Sequence, residues 1–320
     1  ALRFSKAFDT VRHCTLLDKC RTLPLPDSLF NWLAHYLDNR EHKTIFSGVL
    51  SGTRNINASI VQGSGLGPVL YIINASDLHP VSSHNSMNMY ADDSYLVVPS
   101  DHAALIPEEL SHIEEWASLN NLKLNVTKTK ELIVRRLKFK VADLPPPILG
   151  VERVDSMSIL GVVFDGVVSF KAHVDKLVRQ GSQTLYAIKQ LKAQGLKGAS
   201  LWDVTRATLV SRLTYASPVW WCMLDTGCIE RLCAITRKFT KQGYLAPAHA
   251  SLAKLLEDAD DKLFADILNN PHHVLHRLLP PKKQIKYDLR KRPHDHQIPL
   301  INNSNFKKSF INKMLAKDSY

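Results

Sequence analysis

The stretch "MNMYADDSYLVV" (87–98) places two adjacent acidic residues, Asp92 and Asp93, between two apolar runs. The pattern predicts two strands joined by a tight turn that carries the acid pair. Burying a carboxylate without a partner is costly, and a divalent cation that binds it offsets that cost. Mg²⁺ prefers oxygen ligands and bridges to substrate phosphates. By itself the tetrapeptide "YADD" supports two interpretations equally: a metal site for phosphoryl transfer, or acidic residues in a hairpin turn, where Asp is common.

A glycine-rich turn lies upstream of this hairpin, in "VQGSGLGPVL" (61–70). Glycine allows a backbone to approach a bulky ligand, and Pro68 suits the first turn of a helix. The start of a helix favours anions such as phosphate groups. An ordinary connection between a strand and a helix has the same composition, so the turn alone is weak evidence of a site.

Two other segments carry polar residues that suit nucleotide chemistry. "SKAFDTV" (5–11) precedes the glycine-rich turn, and "LNVTKTK" (124–130) follows the acid pair. Lys128 in the second segment is placed to contact a phosphate or to protonate a leaving pyrophosphate. Taken alone, this lysine is more simply a solvated surface charge.

The composition limits the classes of protein to which the chain can belong. Its 320 residues suggest two domains, and a hydrophobic fraction of 45% is enough for a core. A net charge of +11 makes a polyanion the simplest partner, although basic proteins can also owe their charge to solubility alone. No apolar run approaches the roughly 20 residues that span a membrane, and no signal peptide is visible. We therefore expect neither a membrane protein nor a secreted one.

The cysteines indicate the redox compartment of the protein, and the first residue indicates its position in a longer polyprotein. The five cysteines form no C-x-x-C pair, and an odd number argues against a disulfide scaffold, so we expect reduced thiols in the nucleus or cytoplasm. The chain has no initiator Met and begins inside a patterned segment. We therefore expect the C-terminal part of a longer polyprotein. The sequence does not predict an oligomeric state.

Strands and helices alternate in pattern as far as the proline-rich segment "ADLPPPILG" (142–150). From Ser169 to about Gln242 the pattern is mostly helical, and from Pro271 onward the chain is rich in Pro, His, Lys and Arg. The sequence thus predicts an α+β body followed by an all-α module and a basic end.

The motifs together, in their order, resemble the reverse transcriptase of non-LTR (LINE-type) retrotransposons. The resemblance is carried by "FSKAFDTV" (4–11), "QGSGLGP" (62–68), "YADD" (90–93), "LNVTKT" (124–129) and "LGVVFD" (160–165). It continues through "LTYASPVWW" (213–221) to "NFKKSFINKMLAKDSY" (305–320). Reverse transcriptases of group II introns and retroviruses, viral RNA polymerases and telomerase match the same motifs less well.

The resemblance implies an α+β right-hand polymerase fold. Residues 1–150 would form a palm truncated at its N-terminus, with the fingers missing. Residues 151–245 would form an all-α thumb with a primer-grip hairpin, and residues 246–320 a basic C-terminal region. The implied reaction transfers a nucleotidyl group from a deoxynucleoside triphosphate to the 3′-hydroxyl of a DNA primer on an RNA template, by two-metal catalysis with Mg²⁺ or Mn²⁺.

The resemblance also assigns roles to individual residues. Asp92 and Asp93 would be catalytic metal ligands, Asp92 the stronger one, and Lys128 would assist catalysis. Residues implied to bind nucleotide, template or primer are Phe8, Gln62, Gly63, Ser64, Tyr90 and Gly161. Residues implied to hold a duplex by its phosphates in the thumb are Lys171, Lys176, Arg179, Lys189, Lys192 and Lys197, each of which could instead lie on a solvated helix face.

One position departs from the family pattern. The third catalytic carboxylate is expected where this chain has Arg3. If the first segment is a regular strand, Asp9 lies about 20 Å along it, at roughly 3.3 Å per residue, and does not replace the missing ligand. The sequence therefore predicts an inactive or impaired polymerase. The alternatives are a non-catalytic nucleic-acid-binding remnant or a coopted palm–thumb module and, less favoured, an RNA polymerase or splicing maturase.

Overall fold

A computed structural model describes residues 1–136, 139, 144–283, 294–299 and 304–317. The chain divides into two compact units. Unit 1 consists of Ala1–Ile133 with Lys138–Asp155, and unit 2 consists of Val134–Leu137 with Ser156–Tyr320. Residues 284–293, 300–303 and 318–320 of the basic C-terminal region lie outside the described residues. Within the described part of the chain, no helix is both long enough and apolar enough to cross a membrane.

Unit 1 mixes short strands with helices, as the sequence predicts. Its strands are β1 (Leu2–Arg3), β2 (Glu41–His42), β3 (Ile45–Phe46), β4 (Val49–Leu50), β5 (Arg54–Asn55), β6 (Ser86–Tyr90), β7 (Asp93–Val97), β8 (Lys130–Glu131) and β9 (Glu152–Arg153). Its helices are α1 (Ala7–Thr10), α2 (His13–Arg21), α3 (Asp27–Leu37), α4 (Gly67–Asn74) and α5 (Ile106–Leu119).

A three-stranded antiparallel sheet in the order β1-β7-β6 supports the acid pair. The hairpin predicted for residues 87–98 is confirmed, because β6 and β7 pair along their length. Ala91 and Asp92 form the turn between them, and Ala91 has a φ of 51°. The edge strand β1 is much shorter than the sequence indicated. After Arg3 the chain leaves the sheet and forms the helical turn α1, so the regular strand expected through residue 9 is wrong.

The core of unit 1 lies between this sheet and the helices α2, α4 and α5. Leu16 of α2, Leu70 and Tyr71 of α4 and Ile113 of α5 are all almost fully buried. Apolar residues recur on one face of each helix, and burial of that face stabilises the unit by about 1.5–3 kcal/mol for each large side chain. The sheet and the glycine-rich turn before α4 are therefore held by a common core.

Glu109 of α5 fixes the loop that leads into β6. Its side chain is fully buried and accepts hydrogen bonds from the backbone N–H groups of Val81 (2.9 Å) and Ser82 (2.9 Å), and from Nδ2 of Asn85 (2.8 Å). Burial opposes ionisation, but these three donors outweigh it and lower the pKa of the carboxyl. The charged carboxylate thus ties the entry of the acid-bearing hairpin to α5.

The described part of unit 2 contains a β-hairpin followed mostly by helices. The hairpin strands are β10 (Ser156–Ile159) and β11 (Val162–Asp165). The helices are α6 (Lys171–Ala193), α7 (Gly198–Thr205), α8 (Ser211–Thr214), α9 (Ser217–Trp220), α10 (Thr226–Lys241), α11 (Leu252–Asn269), α12 (Ser304–Lys308) and α13 (Phe310–Ala316). The predominantly helical stretch expected from Ser169 to Gln242 is confirmed.

The long helices α6 and α10 form the centre of unit 2. A Cβ on Gly181 of α6 would lie only 3.1 Å from the side chain of Ile235, so the absence of a side chain there lets the two helices approach closely. Trp220, Leu232 and Phe239 are fully buried beside them. This packing gives unit 2 a core of its own.

Candidate active site

The registers of the three-stranded sheet place Arg3, Asp93 and Tyr90 in one row across the strands. Arg3 lies opposite Asp93 in the pairing of β1 with β7, and Tyr90 lies opposite Asp93 in the pairing of β6 with β7. Residues directly opposite each other share a face of the sheet. Two of the implied site residues are therefore brought together with the residue that departs from the family pattern.

Arg3 forms an ion pair with Asp93. Nη1 of the guanidinium contacts Oδ1 of the carboxylate, and the two side chains are 36% and 19% exposed. Tyr95 contributes a long hydrogen bond, 3.5 Å from its hydroxyl to Oδ2 of Asp93. An opposite charge in contact stabilises the ionised carboxylate, so the fixed cation of Arg3 neutralises Asp93 without a bound ion.

Asp92, in the turn, acts electrostatically on the buried Tyr71, which packs against the partly buried Phe8. The ring of Phe8 stacks on that of Tyr71 with 4.9 Å between centroids. Burial and, to a lesser extent, the charge of Asp92 raise the pKa of the Tyr71 hydroxyl well above its usual value. Phe8 lies on α1 and packs against the core of unit 1 through Tyr71.

The glycine-rich turn contributes side chains of two kinds. Gln62 is exposed and donates a hydrogen bond from Nε2 to Oδ1 of Asp9 over 3.1 Å, and Gly63 has a φ of 83°. Ser64 has a structural role, because its hydroxyl donates to the Val61 carbonyl (2.7 Å) and accepts from the N–H of Gly67 at the start of α4 (3.0 Å). Gln62 and Gly63 thus face solvent, whereas Ser64 closes the turn.

The segment that carries Lys128 lies against the outer edge of β1. The N–H of Asn125 donates to the Arg3 carbonyl over 2.7 Å, and Leu124 bridges to Phe4. The side chain of Lys128 is exposed. The structure therefore places Lys128 on the β1 side of the sheet.

Gly161 belongs to unit 2, where it occupies the turn between β10 and β11 with a φ of 90°. Lys176 of α6 donates from Nζ to the Gly161 carbonyl over 3.1 Å, and the hydroxyl of Tyr215 donates to the Leu160 carbonyl over 2.9 Å. A Cβ on Gly161 would lie 3.3 Å from the Tyr215 ring. The hairpin turn is thus fixed from two sides.

Sequence reasoning missed several residues that organise these sites. Tyr71 stacks on Phe8 and feels the charge of Asp92, Asp9 accepts a hydrogen bond from Gln62, and Tyr215 supports the Gly161 turn. An aromatic residue one turn into the helix after a glycine-rich loop was the available signal for Tyr71. For Asp9 and Tyr215 the contacts join segments that are far apart along the chain, so no local signal existed.

The donor set at the acid pair does not fit the expected pair of divalent ions. A two-metal site needs several converging oxygen ligands. Here the carboxylate of Asp93 is ion-paired with the guanidinium of Arg3. Among the residues whose placement is described, no group of three or more His, Cys, Asp or Glu side chains could hold a metal ion. Asp92, the other member of the acid pair, forms no ion pair with any residue that the structure describes.

Comparison with known proteins agrees with the order of the motifs. Residues 2–164 match the family described as reverse transcriptase (RNA-dependent DNA polymerase). The chain is 28% identical over 256 residues to the probable RNA-directed DNA polymerase from transposon X-element of Drosophila melanogaster, which covers 75% of this chain and 27% of that protein. It is 26% identical over 190 residues to the RNA-directed DNA polymerase from mobile element jockey of Drosophila funebris, covering 55% of this chain and 20% of that protein.

These relatives are several times longer than the aligned regions, so the chain spans about a quarter of their length or less. The family match covers 163 residues (2 to 164) of the 320, just over half of the chain. The strands β1, β6 and β7 and the glycine-rich turn all lie within it. The chain belongs to the reverse transcriptase family, and it is of the LINE type.

Proposed function

We propose that this chain is the palm and thumb of a LINE-type reverse transcriptase that binds primer and template but is impaired in nucleotidyl transfer. Unit 1 would supply the palm and unit 2 the thumb, with the hairpin β10–β11 as the primer grip and residues 246–320 as a basic C-terminal region. The substrates would be an RNA template, a DNA primer and deoxynucleoside triphosphates.

The ion pair between Arg3 and Asp93 is the observation that carries the proposed impairment. Reverse transcriptases as a family use divalent metal ions, such as Mg²⁺ or Mn²⁺. A cation fixed at the carboxylates repels such an ion and occupies one of its ligands. At about 4 Å and an effective dielectric constant near 20, one pair of unit charges is worth roughly 4 kcal/mol. Each ~1.4 kcal/mol corresponds to about a tenfold change in rate, so the loss would be large.

Other residues of this chain support retained substrate binding. Phe8 would pack beneath the sugar of the incoming nucleotide, held by its stack on Tyr71. Gln62 and Gly63 are exposed beside α4, where template and nucleotide would pass, and the exposed Tyr90 would support the primer end. Lys128 would meet a phosphate. Ser64 would act through the turn that it closes.

A primer-extension assay tests the proposal, with a DNA primer on an RNA template, deoxynucleotides and Mg²⁺. We expect no extension by the natural chain and measurable extension by Arg3→Asp, lost again in the double variant Arg3→Asp with Asp92→Ala. Arg3→Asn, which removes the cation but supplies no carboxylate, is the matched control and should remain inactive. Extension by the natural chain that depends on Asp92 would refute the proposed impairment.

Failure of Arg3→Asp to extend would favour the second candidate, a non-catalytic nucleic-acid-binding module. The same ion pair favours that candidate, because it would disable the metal site through Asp93 without involving the residues that would bind primer and template. Binding of primer–template by the natural chain, measured without nucleotides, would then be the remaining activity.

A further inference from the structure

The hairpin β3–β4 of unit 1 carries apolar side chains on both of its faces. All four apolar side chains of its strands are more than half exposed: Ile45 (73%), Phe46 (80%), Val49 (71%) and Leu50 (55%). Ile45 lies opposite Leu50, and Phe46 lies opposite Val49. Successive residues of a strand point to opposite faces, so each face carries one of these pairs. Both faces of the hairpin are therefore apolar and lie in solvent.

The hairpin keeps its shape through its own turn and backbone. Ser47 (φ 48°) and Gly48 (φ 80°) form a two-residue turn, and positive φ at both positions is the type I′ geometry that matches the twist of paired strands. Next to the strands, the N–H of Ser51 donates to the Thr44 carbonyl over 2.9 Å, and the Ser51 hydroxyl accepts from the Thr44 N–H over 2.9 Å. The exposed apolar residues are thus held as strands.

The two outer edges of the hairpin differ in how they are protected. In the described part of the chain, β3 and β4 pair only with each other. Hydrogen-bonded and non-bonded pairs alternate along an antiparallel ladder, so the bond between Ser51 and Thr44 leaves the N–H and C=O groups of Ile45 and Leu50 pointing outward. Natural sheets protect such edges with lysine, proline or a bulge. Lys43 lies two residues from Ile45 on the β3 edge, but segment 44–53 contains no charged residue and no proline, so the β4 edge is open.

The charge of the chain favours a second copy as the occupant of this edge. The chain carries a net charge of +11, so two copies repel each other over most of their surfaces. Segment 44–53 is uncharged, and contact there brings no like charges together. A short segment of high β-propensity with low charge and no proline is also the composition that pairs with itself. A charged partner would gain no electrostatic attraction at this segment.

The apolar area indicates how strong such a contact can be. A large apolar side chain removes about 60–120 Å² from water when it is buried, so the hairpin offers at most about 400 Å². Two hairpins together would then bury at most about 800 Å², below the roughly 1,200–2,000 Å² of stable, specific interfaces. The surface therefore suits a weak dimer that dissociates on dilution.

We propose that β4 pairs antiparallel with β4 of a second copy of this chain, so that the two hairpins form one four-stranded sheet. The dimer is closed by a two-fold axis, with Leu50 opposite Leu50 of the second copy. The outward N–H and C=O groups of Leu50 then bond across the axis. The inference goes beyond the proposed function and does not depend on it, because no residue implied to bind nucleotide, template or primer lies in the hairpin.

The test is sedimentation velocity of the full chain from low micromolar to a few hundred micromolar, at low and at high KCl. The sedimentation coefficient of the natural chain should rise with concentration towards that of a dimer. High salt should strengthen the association, because it screens the repulsion between two basic chains. Leu50→Lys places two like charges opposite each other and should weaken the association at least tenfold. Its Tm should stay close to that of the natural chain, because Leu50 is 55% exposed.

Two variants serve as controls. Leu119→Lys adds the same charge at a 71% exposed residue outside the hairpin and should dimerise like the natural chain. Ile45→Lys adds it on the same face but at the β3 edge, and should weaken the dimer less than Leu50→Lys does.

A natural chain that stays monomeric at the highest concentration would overturn the proposal, and so would one that binds neutral lipid vesicles or an apolar peptide while remaining monomeric. Growth beyond the dimer would show open-ended aggregation in place of a closed pair. An equal loss in Leu119→Lys would assign the effect to net charge, and an equal loss in Ile45→Lys would exclude β4 as the pairing edge. Primer extension by Arg3→Asp does not enter these outcomes, so the proposed function is tested separately.

Discussion

Replacement of Arg3 by Asp should make the stability of unit 1 depend on divalent metal. In the natural chain, the guanidinium neutralises the mostly buried carboxylate of Asp93. In Arg3→Asp, two carboxylates would face each other across an antiparallel pair, with Cβ atoms about 5 Å apart. At an effective dielectric constant near 20, an attraction of roughly 4 kcal/mol is replaced by a repulsion of about 3 kcal/mol.

The net destabilisation is smaller than that sum, because the Arg3 side chain is 36% exposed and solvent screens its interactions. We expect a loss of about 3 kcal/mol in the free energy of unfolding when a chelator is present. A metal ion that binds the new carboxylate site at a hundred times its Kd would restore about 2.7 kcal/mol. The natural chain, in which Arg3 already neutralises Asp93, should show no such response.

Differential scanning calorimetry in EDTA and in millimolar Mg²⁺ or Mn²⁺ measures this difference. The Tm of Arg3→Asp should fall by several degrees in EDTA and recover when metal is added. Arg3→Asn controls for simple loss of the ion pair, and its Tm should fall moderately and stay insensitive to metal. An equal rise in the Tm of the natural chain and of Arg3→Asp on addition of metal would contradict the role given to Arg3, and so would equal stability of the two proteins in EDTA.

Two further predictions concern unit 2. Gly161→Ala should destabilise the unit by about 1–3 kcal/mol, because the residue has a φ of 90° and its new Cβ would lie 3.3 Å from the Tyr215 ring. Urea denaturation measures this loss. The control, Gly227→Ala, lies at a helical position without positive φ and should be neutral or slightly stabilising. His173 is buried and accepts a hydrogen bond at Nδ1 from the Val163 N–H (3.3 Å), and burial together with the charge of Lys176 lowers its pKa to about 4. The imidazole of His173 takes up a proton near pH 6.5 in the unfolded chain but only near pH 4 in the folded chain. The free energy of unfolding should therefore be unaffected by this group above pH 6.5 and should fall by at most about 3 kcal/mol as the pH drops from 6.5 to 4. Urea titrations at pH 7 and pH 5 should show a larger difference for the natural chain than for His173→Gln, and equal differences would contradict the assignment to His173.

Local patterns predicted the elements whose residues are close in sequence. Apolar runs on both sides of a turn predicted the hairpin around "YADD". Pro68 predicted the start of α4, because the fixed φ of proline suits the first turn of a helix. The extent of β1 was not predictable in this way. The two-residue strand β1 is stabilised by its pairing with β7. A sequence pattern does not predict where such pairing ends.

The sequence by itself determined the family, through the order of its motifs, and it identified Arg3 as the residue in place of a carboxylate. Only the tertiary structure decided what Arg3 contacts, because the pairing of β1 with β7 joins residues ninety positions apart (3 and 93). It also decided that α10 packs closely on α6, because Gly181 has no side chain and Ile235 lies against it. Sequence motifs show which chemical groups are present, whereas tertiary packing determines which of these groups are in contact.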